Sequence, residues 1–143
     1  MNKWLGVLVV LMGLVSRLSS GQTRELSQQQ AIHLAEMFIQ ENGYTSAPAN
    51  RANLTYELFD ADEKDINTLL QARRNRLHPK AFCISDDPDN WHVGFLSTSV
   101  DLSKLTPTQQ QADLSGRAVI VNKRNKEVKL AHKDPRFSLY KKL

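Results

Sequence analysis

The residues best suited to metal or nucleophilic chemistry are one cysteine, Cys83, and four histidines: His33, His78, His92 and His132. Protein zinc sites usually contain closely spaced ligand pairs, whereas these histidines are far apart, so the sequence predicts no metal site. Cys83 lies between Phe82 and Ile84, and an apolar setting disfavours the thiolate. Pairing of Cys83 with His92 as nucleophile and base stays open, although no spacing requires it.

No other pattern predicts catalysis. The sequence contains neither the G-x-S-x-G motif of a serine hydrolase nor a glycine-rich phosphate-binding loop. The acidic segment SDDPDN lacks the longer loop and closing glutamate of a calcium hand and is typical of a turn. We therefore expect no cofactor and favour a protein without enzymatic activity.

Arg73 is the first of three residues that are candidates for lining a ligand pocket. It follows Ile66 by seven positions on the apolar face of a predicted helix. An arginine there either packs its stem and extends its head to water, which is the commoner outcome, or lies at the edge of a pocket.

Strand alternation supplies the other two pocket candidates, Trp91 and His132. In WHVGF, side chains of alternate residues point to opposite faces, so Trp91 belongs to the core face and His92 to the outer face. In EVKLAHK, His132 shares the face of Val128 and Leu130. We therefore expect His132 to point towards the core at the end of its strand.

Two helices precede the strands. Ser27 and Gln30 have the spacing of a capping box, and an apolar stripe follows at Ala31, Leu34, Ala35 and Phe38. Gly43 can close this helix. The second helix is predicted to begin near Asp60 or Asp62 and to end before Pro79.

The remaining segments predict strands. One lies between the helices, at 54–59, and four follow them at 80–85, 91–98, 117–122 and 127–133. The fold class is therefore predicted to be α+β, with N-terminal helices packed on a curved antiparallel sheet of four to five strands.

The first 21 residues resemble a secretory signal peptide. An apolar run of 12 residues, Trp4–Val15, follows Lys3, and a membrane-spanning helix needs about 20. Ser19 and Gly21 suit a cut before Gln22. We expect residues 1–21 to be the signal, or an uncleaved anchor, and residues 22–143 to be one exported domain, periplasmic or secreted. No stable membrane span is expected unless the signal is retained.

Positive charge is concentrated in the last third of the chain. From Lys104 onward there are ten lysines and arginines against three acidic residues. Such a surface attracts acidic partners, and export argues against nucleic acid. The hairpin residues Lys123, Arg124 and Lys126 are therefore candidates for contacting a protein partner.

Three segments, AIHLAEMFIQENGY, WHVGF and GRAVIVNKRNKEV, resemble small bacterial immunity proteins of the nuclear-transport-factor-two-like, cystatin-like fold. The hairpin turn NKRNKE lacks the glycine that those proteins often have there. The resemblance implies a non-catalytic domain that neutralises a periplasmic toxin. The alternative is a small-molecule binder or an isomerase-like enzyme with a pocket under the curved sheet.

Overall fold

The computed structural model describes residues 24–54, 63–106 and 114–143. The predicted signal peptide, 1–21, and most of the predicted strand at 54–59 lie outside these ranges. Within them, no helix has the length and apolar character needed to cross a bilayer.

The first helix, α1, spans Gln28–Glu41 and has the predicted ends. The Ser27 hydroxyl accepts a hydrogen bond from the Gln30 amide at 3.2 Å, and the Gln30 side chain accepts one from the Ser27 amide at 3.0 Å. These reciprocal bonds confirm the capping box. Gly43, with φ +78°, follows the helix in the left-handed conformation.

The second helix, α2, spans Glu63–Arg73 and ends earlier than the sequence predicts. Asn75 adopts φ +64°, a left-handed conformation that asparagine tolerates, so the chain leaves the helix before Pro79. The segment after it forms an isolated antiparallel bridge between Leu77 and Ser97.

Five strands form one open antiparallel sheet in the order β4-β3-β2-β1-β5. Their bounds are Cys83–Asp86 (β1), Asn90–Leu96 (β2), Gly116–Asn122 (β3), Val128–Leu130 (β4) and Lys141–Lys142 (β5). Two helices packed against this sheet confirm the predicted α+β class. The fifth strand was not among the predicted segments.

The face of the sheet nearer α1 carries the main core. Val93, Phe95 and Val119 are completely buried there, and Ala31, Ala35 and Ile39 of α1 belong to the same cluster. The helix covers β2, β3 and β4. Trp91 packs against this core, as the alternation predicts, and His92 is half-buried on the opposite face.

The opposite face carries a smaller core around Phe137. This side chain clusters with Cys83, Leu96 and Leu114, all of them buried. A Cβ atom added to Gly94 would lie 2.6 Å from Cε1 of Phe137 and 2.5 Å from Sγ of Cys83. Gly94 therefore marks a close approach between the strand and the C-terminal segment, and Cys83 is buried beside it.

Candidate functional site

A cleft forms where four chain segments leave the helices and strands. Tyr44 follows α1, Leu77 follows α2, Ser97 follows β2, and Ser115 precedes β3. The Leu77 amide donates to the Tyr44 carbonyl at 2.9 Å, and the Ser97 amide donates to the Ser115 carbonyl at 2.8 Å. These backbone bonds join the segments in two pairs, and the bridge between Leu77 and Ser97 connects the pairs.

We call this feature the arginine cleft, because Arg73, Arg76 and Arg117 line it together. Its volume is about 440 Å³, and the described residues of its lining include no acidic one. Arg73 comes from the last turn of α2, Arg76 from the segment after it, and Arg117 from the start of β3. Three guanidinium groups from distant parts of the sequence thus share one concave surface.

Arg73 is held in place by contacts on two sides. It is only 6% exposed, and its Nη1 atom donates a hydrogen bond of 3.2 Å to the Asn42 carbonyl. Its guanidinium carbon lies 5.1 Å from the centre of the Tyr44 ring, within cation–π range. Arg76 is exposed and Arg117 is half-buried, so the cleft has one fixed cation and two accessible ones.

Serine hydroxyl groups extend the polar side of the arginine cleft. The Ser97 and Ser115 side chains line it, and the Ser99 hydroxyl lies between them, 2.9 Å from Ser97 Oγ and 3.4 Å from Ser115 Oγ. A hydroxyl both donates and accepts, so these groups can supply further hydrogen bonds to a bound anion.

The structure does not bring the three predicted pocket residues together. Arg73 lines the cleft and is buried, so of the two alternatives for this residue the head that extends to water does not apply. Trp91 lies elsewhere on the helix-facing side, where its Nε1 atom donates to the Leu26 carbonyl at 2.8 Å. His132 is exposed, because β4 ends at Leu130 and its alternation stops before residue 132.

The basic hairpin residues also differ from one another. Lys123 is only 8% exposed; its Nζ atom donates to Asp86 Oδ2 at 2.9 Å and to the Asp87 carbonyl at 2.7 Å. It also lies 4.8 Å from the centre of the Trp91 ring. These contacts engage its ammonium, so Lys123 is less available to a partner than the sequence predicts. Arg124 and Lys126 are exposed.

Arg76 and Arg117 are the functional candidates that sequence reasoning missed. Arg117 shares one face of its strand with Val119 and Val121, which follow it by two and four positions. The strand pattern therefore indicates that Arg117 lies on the face covered by α1. Arg76 lies just after α2, and a cation is favourable near the C-terminal end of any helix. Arg76 and Arg117 line one cleft because Leu77 and Ser97 form a bridge, and no local pattern in the sequence indicates this bridge.

The groups suited to catalysis lie outside the arginine cleft. Burial raises the pKa of the Cys83 thiol to about 12, so it is protonated near neutral pH. Nε2 of His92 donates to Asp87 Oδ2 at 2.7 Å; in the described part of the chain no Ser, Thr or Cys side chain joins this pair. The described residues also include no group of three or more His, Cys, Asp or Glu that could hold a metal ion.

Comparison of the chain with protein-family models, with curated proteins and with solved structures finds no match.

Proposed function

We propose that this chain is an exported, non-catalytic binding domain that holds an anionic ligand in the arginine cleft. The observation that carries the proposal is the position of Arg73, Arg76 and Arg117 around one cavity of about 440 Å³ whose described lining includes no carboxylate. An anion there gains charge-assisted hydrogen bonds from the accessible guanidinium groups of Arg76 and Arg117.

The chemistry of guanidinium supports an anion as the ligand. Its planar group presents paired N–H donors that match carboxylate and phosphate oxygens. Arg73 is already oriented by Asn42 and Tyr44, so little side-chain entropy is lost when a ligand reaches it. The accessible Arg76 and Arg117 can then close on the same anionic group.

Binding without catalysis is supported by the separation of the reactive groups from the cleft. Neither Cys83 nor His92 belongs to its lining, and the raised pKa of the Cys83 thiol leaves little thiolate at neutral pH. Export is proposed from residues 1–21 alone, on the basis of their signal-peptide pattern.

A nuclear magnetic resonance titration of the purified protein with acetate and with phosphate, at constant ionic strength, tests the proposal. We expect saturable shifts of the amides of Tyr44, Ser97 and Ser115. Arg117→Gln removes one charge-assisted hydrogen bond and should weaken binding about tenfold. Arg74→Gln is the matched control, because Arg74 is exposed and does not line the cleft. Equal effects of the two variants, or shifts spread over all basic residues, contradict the proposal.

A protein partner is the second candidate function, and the exposure of Arg124 and Lys126 favours it. Asn122 Oδ1 accepts hydrogen bonds from the amides of Arg124 at 2.9 Å and Asn125 at 3.0 Å, so the backbone that carries these cations is ordered. An acidic partner, such as the toxin that the immunity-protein resemblance implies, would be steered by these charges.

Capture of a partner from periplasmic extract tests this second candidate. Charge reversal at Arg124 and Lys126 should reduce the captured amount, whereas reversal at Lys129, an exposed lysine of β4, should not. Unchanged capture by the hairpin variant would remove the hairpin from the proposed interface.

A further inference from the structure

We infer that the ligand of the arginine cleft is an amphiphilic organic acid, with an anionic head on the arginines and an apolar body in the same cavity. This inference rests on the proposed function and names the ligand class of that site.

The cleft has an apolar lining as well as a cationic one. Tyr44, Leu69, Ala72 and Leu77 line it together with the arginines. Leu69 and Ala72 come from α2, and Leu77 comes from the segment that bridges to Ser97. Water against these groups is less favourable than contact with another apolar group.

The size of the cavity separates an organic ligand from a bare inorganic ion. Small-molecule sites in proteins typically occupy about 300–1,000 Å³ and combine apolar lining with a few placed polar groups. The arginine cleft, at about 440 Å³, falls within this range. Acetate or phosphate would contact the accessible Arg76 and Arg117 and leave the half-buried Leu69 without a ligand group against it.

The position of Arg73 also favours an apolar body next to the charged head. Its guanidinium lies against the Tyr44 ring and is buried, so its field acts in a setting that water enters poorly. Electrostatic interactions are stronger in such a setting than in bulk water. An apolar body beside Arg73 that excludes more water strengthens the contacts of the head with the accessible Arg76 and Arg117, whereas a small hydrated ion does not.

Isothermal titration calorimetry with four probes tests the inference: hexanoate, acetate, hexanol and inorganic phosphate. Hexanoate has the head and the body, acetate lacks most of the body, and hexanol lacks the charge. Burial of four additional methylene groups predicts that hexanoate binds on the order of 100-fold more tightly than acetate. We expect hexanol and phosphate to bind more weakly than hexanoate as well.

Two leucines of α2 provide matched variants for the body of the ligand. Leu69 lines the arginine cleft, whereas Leu70, equally half-buried, lines a different groove beside Gly43. Leu69→Ala should weaken hexanoate about tenfold and leave acetate unchanged, because it removes apolar contact alone. Leu70→Ala should leave both affinities unchanged.

The outcomes distinguish failure of the inference from failure of the proposed function. Equal affinity for acetate and hexanoate, or tighter binding of phosphate than of hexanoate, overturns the amphiphilic ligand and leaves an anion site. Binding of hexanol as tight as that of hexanoate, unaffected by Arg117→Gln, overturns the anionic head and the proposed function together. The absence of binding by all four probes also overturns both.

Discussion

Nζ of Lys123 lies 2.9 Å from Oδ2 of Asp86, and this contact ties the turn between β3 and β4 to the end of β1. The same ammonium donates to the Asp87 carbonyl at 2.7 Å and lies over the Trp91 ring. Three contacts to one buried cation make Lys123 a structural residue, although the residues that follow it, 124–126, are exposed.

Replacement of Lys123 by methionine should therefore destabilise the fold. The variant keeps much of the apolar stem but removes charge-assisted hydrogen bonds, so we expect a loss of about 2 kcal/mol in the free energy of unfolding. Urea denaturation measures this value. Lys129→Met, at an exposed position of β4, is the control and should change stability by less than about 0.5 kcal/mol. Equal values for the two variants would contradict the structural role of Lys123.

Gly94 and Phe137 should show coupled effects on stability. Gly94→Ala places a Cβ atom 2.6 Å from the Phe137 ring and 2.5 Å from the Cys83 sulfur, and overpacking of this kind costs about 1–3 kcal/mol. In a Phe137→Leu background the ring is absent, so the same substitution should cost less. A double-mutant cycle measured by chemical denaturation checks the coupling. Strict additivity would show that the two residues are not in contact.

The lowered pKa of the Asp87 carboxylate leads us to expect that the folded protein loses stability in acid. Its hydrogen bond from His92, followed by one from the Asp89 amide, holds the pKa of Asp87 well below its ordinary value of 3.8. A lowered folded-state pKa contributes stability that is fully present above the unfolded-state pKa and disappears as the pH falls through the folded-state pKa. Stability should therefore decline as the pH falls below about 4.

Asp87→Asn tests this pH dependence. We expect a smaller decline for the variant than for the unaltered protein when thermal unfolding is followed from pH 5 to pH 2. Asp89→Asn changes an exposed acid of the same turn and should retain the full decline. Identical pH profiles for the unaltered protein and Asp87→Asn would refute the role of the carboxylate.

Lys126 should be replaceable by glycine with a gain in stability. Its φ of +62° lies in the left-handed region, which costs a residue with a side chain about 1–2 kcal/mol. Glycine avoids that strain but loses about 0.5–1 kcal/mol through its freer unfolded state, so the net gain should be about 0.5 kcal/mol. Asn75→Gly, at φ +64°, should gain less, because asparagine tolerates this conformation. A lower melting temperature for Lys126→Gly would contradict this reasoning.

Local patterns in the sequence predicted the features that depend on neighbouring residues. The Ser27–Gln30 capping box and the closing Gly43 follow from spacing alone, and alternation correctly assigned Trp91 to the core face and His92 to the outer one. The prediction that His132 points towards the core was wrong, because the alternation was extended beyond Leu130, where β4 ends.

Long-range contacts explain the remaining differences. Lys123 looked like an exposed turn residue, yet Asp86 and Trp91, more than 30 positions away, bury it. The two-residue strand β5 is too short to show a pattern. Arg73 and Arg117 line the same cleft because the segment after α2 pairs with the residue that follows β2. No spacing in the sequence indicates that pairing.

The central claim is that the arginine cleft binds the head and body of one organic anion, and a crystal structure with 6-bromohexanoate tests it most directly. Anomalous scattering locates the bromine, and ordinary density locates the carboxylate. We expect the bromine beside Leu69 and Leu77 and the carboxylate within hydrogen-bonding distance of the Arg76 or Arg117 guanidinium. Bromine in another groove, or a carboxylate in bulk solvent away from every arginine of the cleft, would contradict the account.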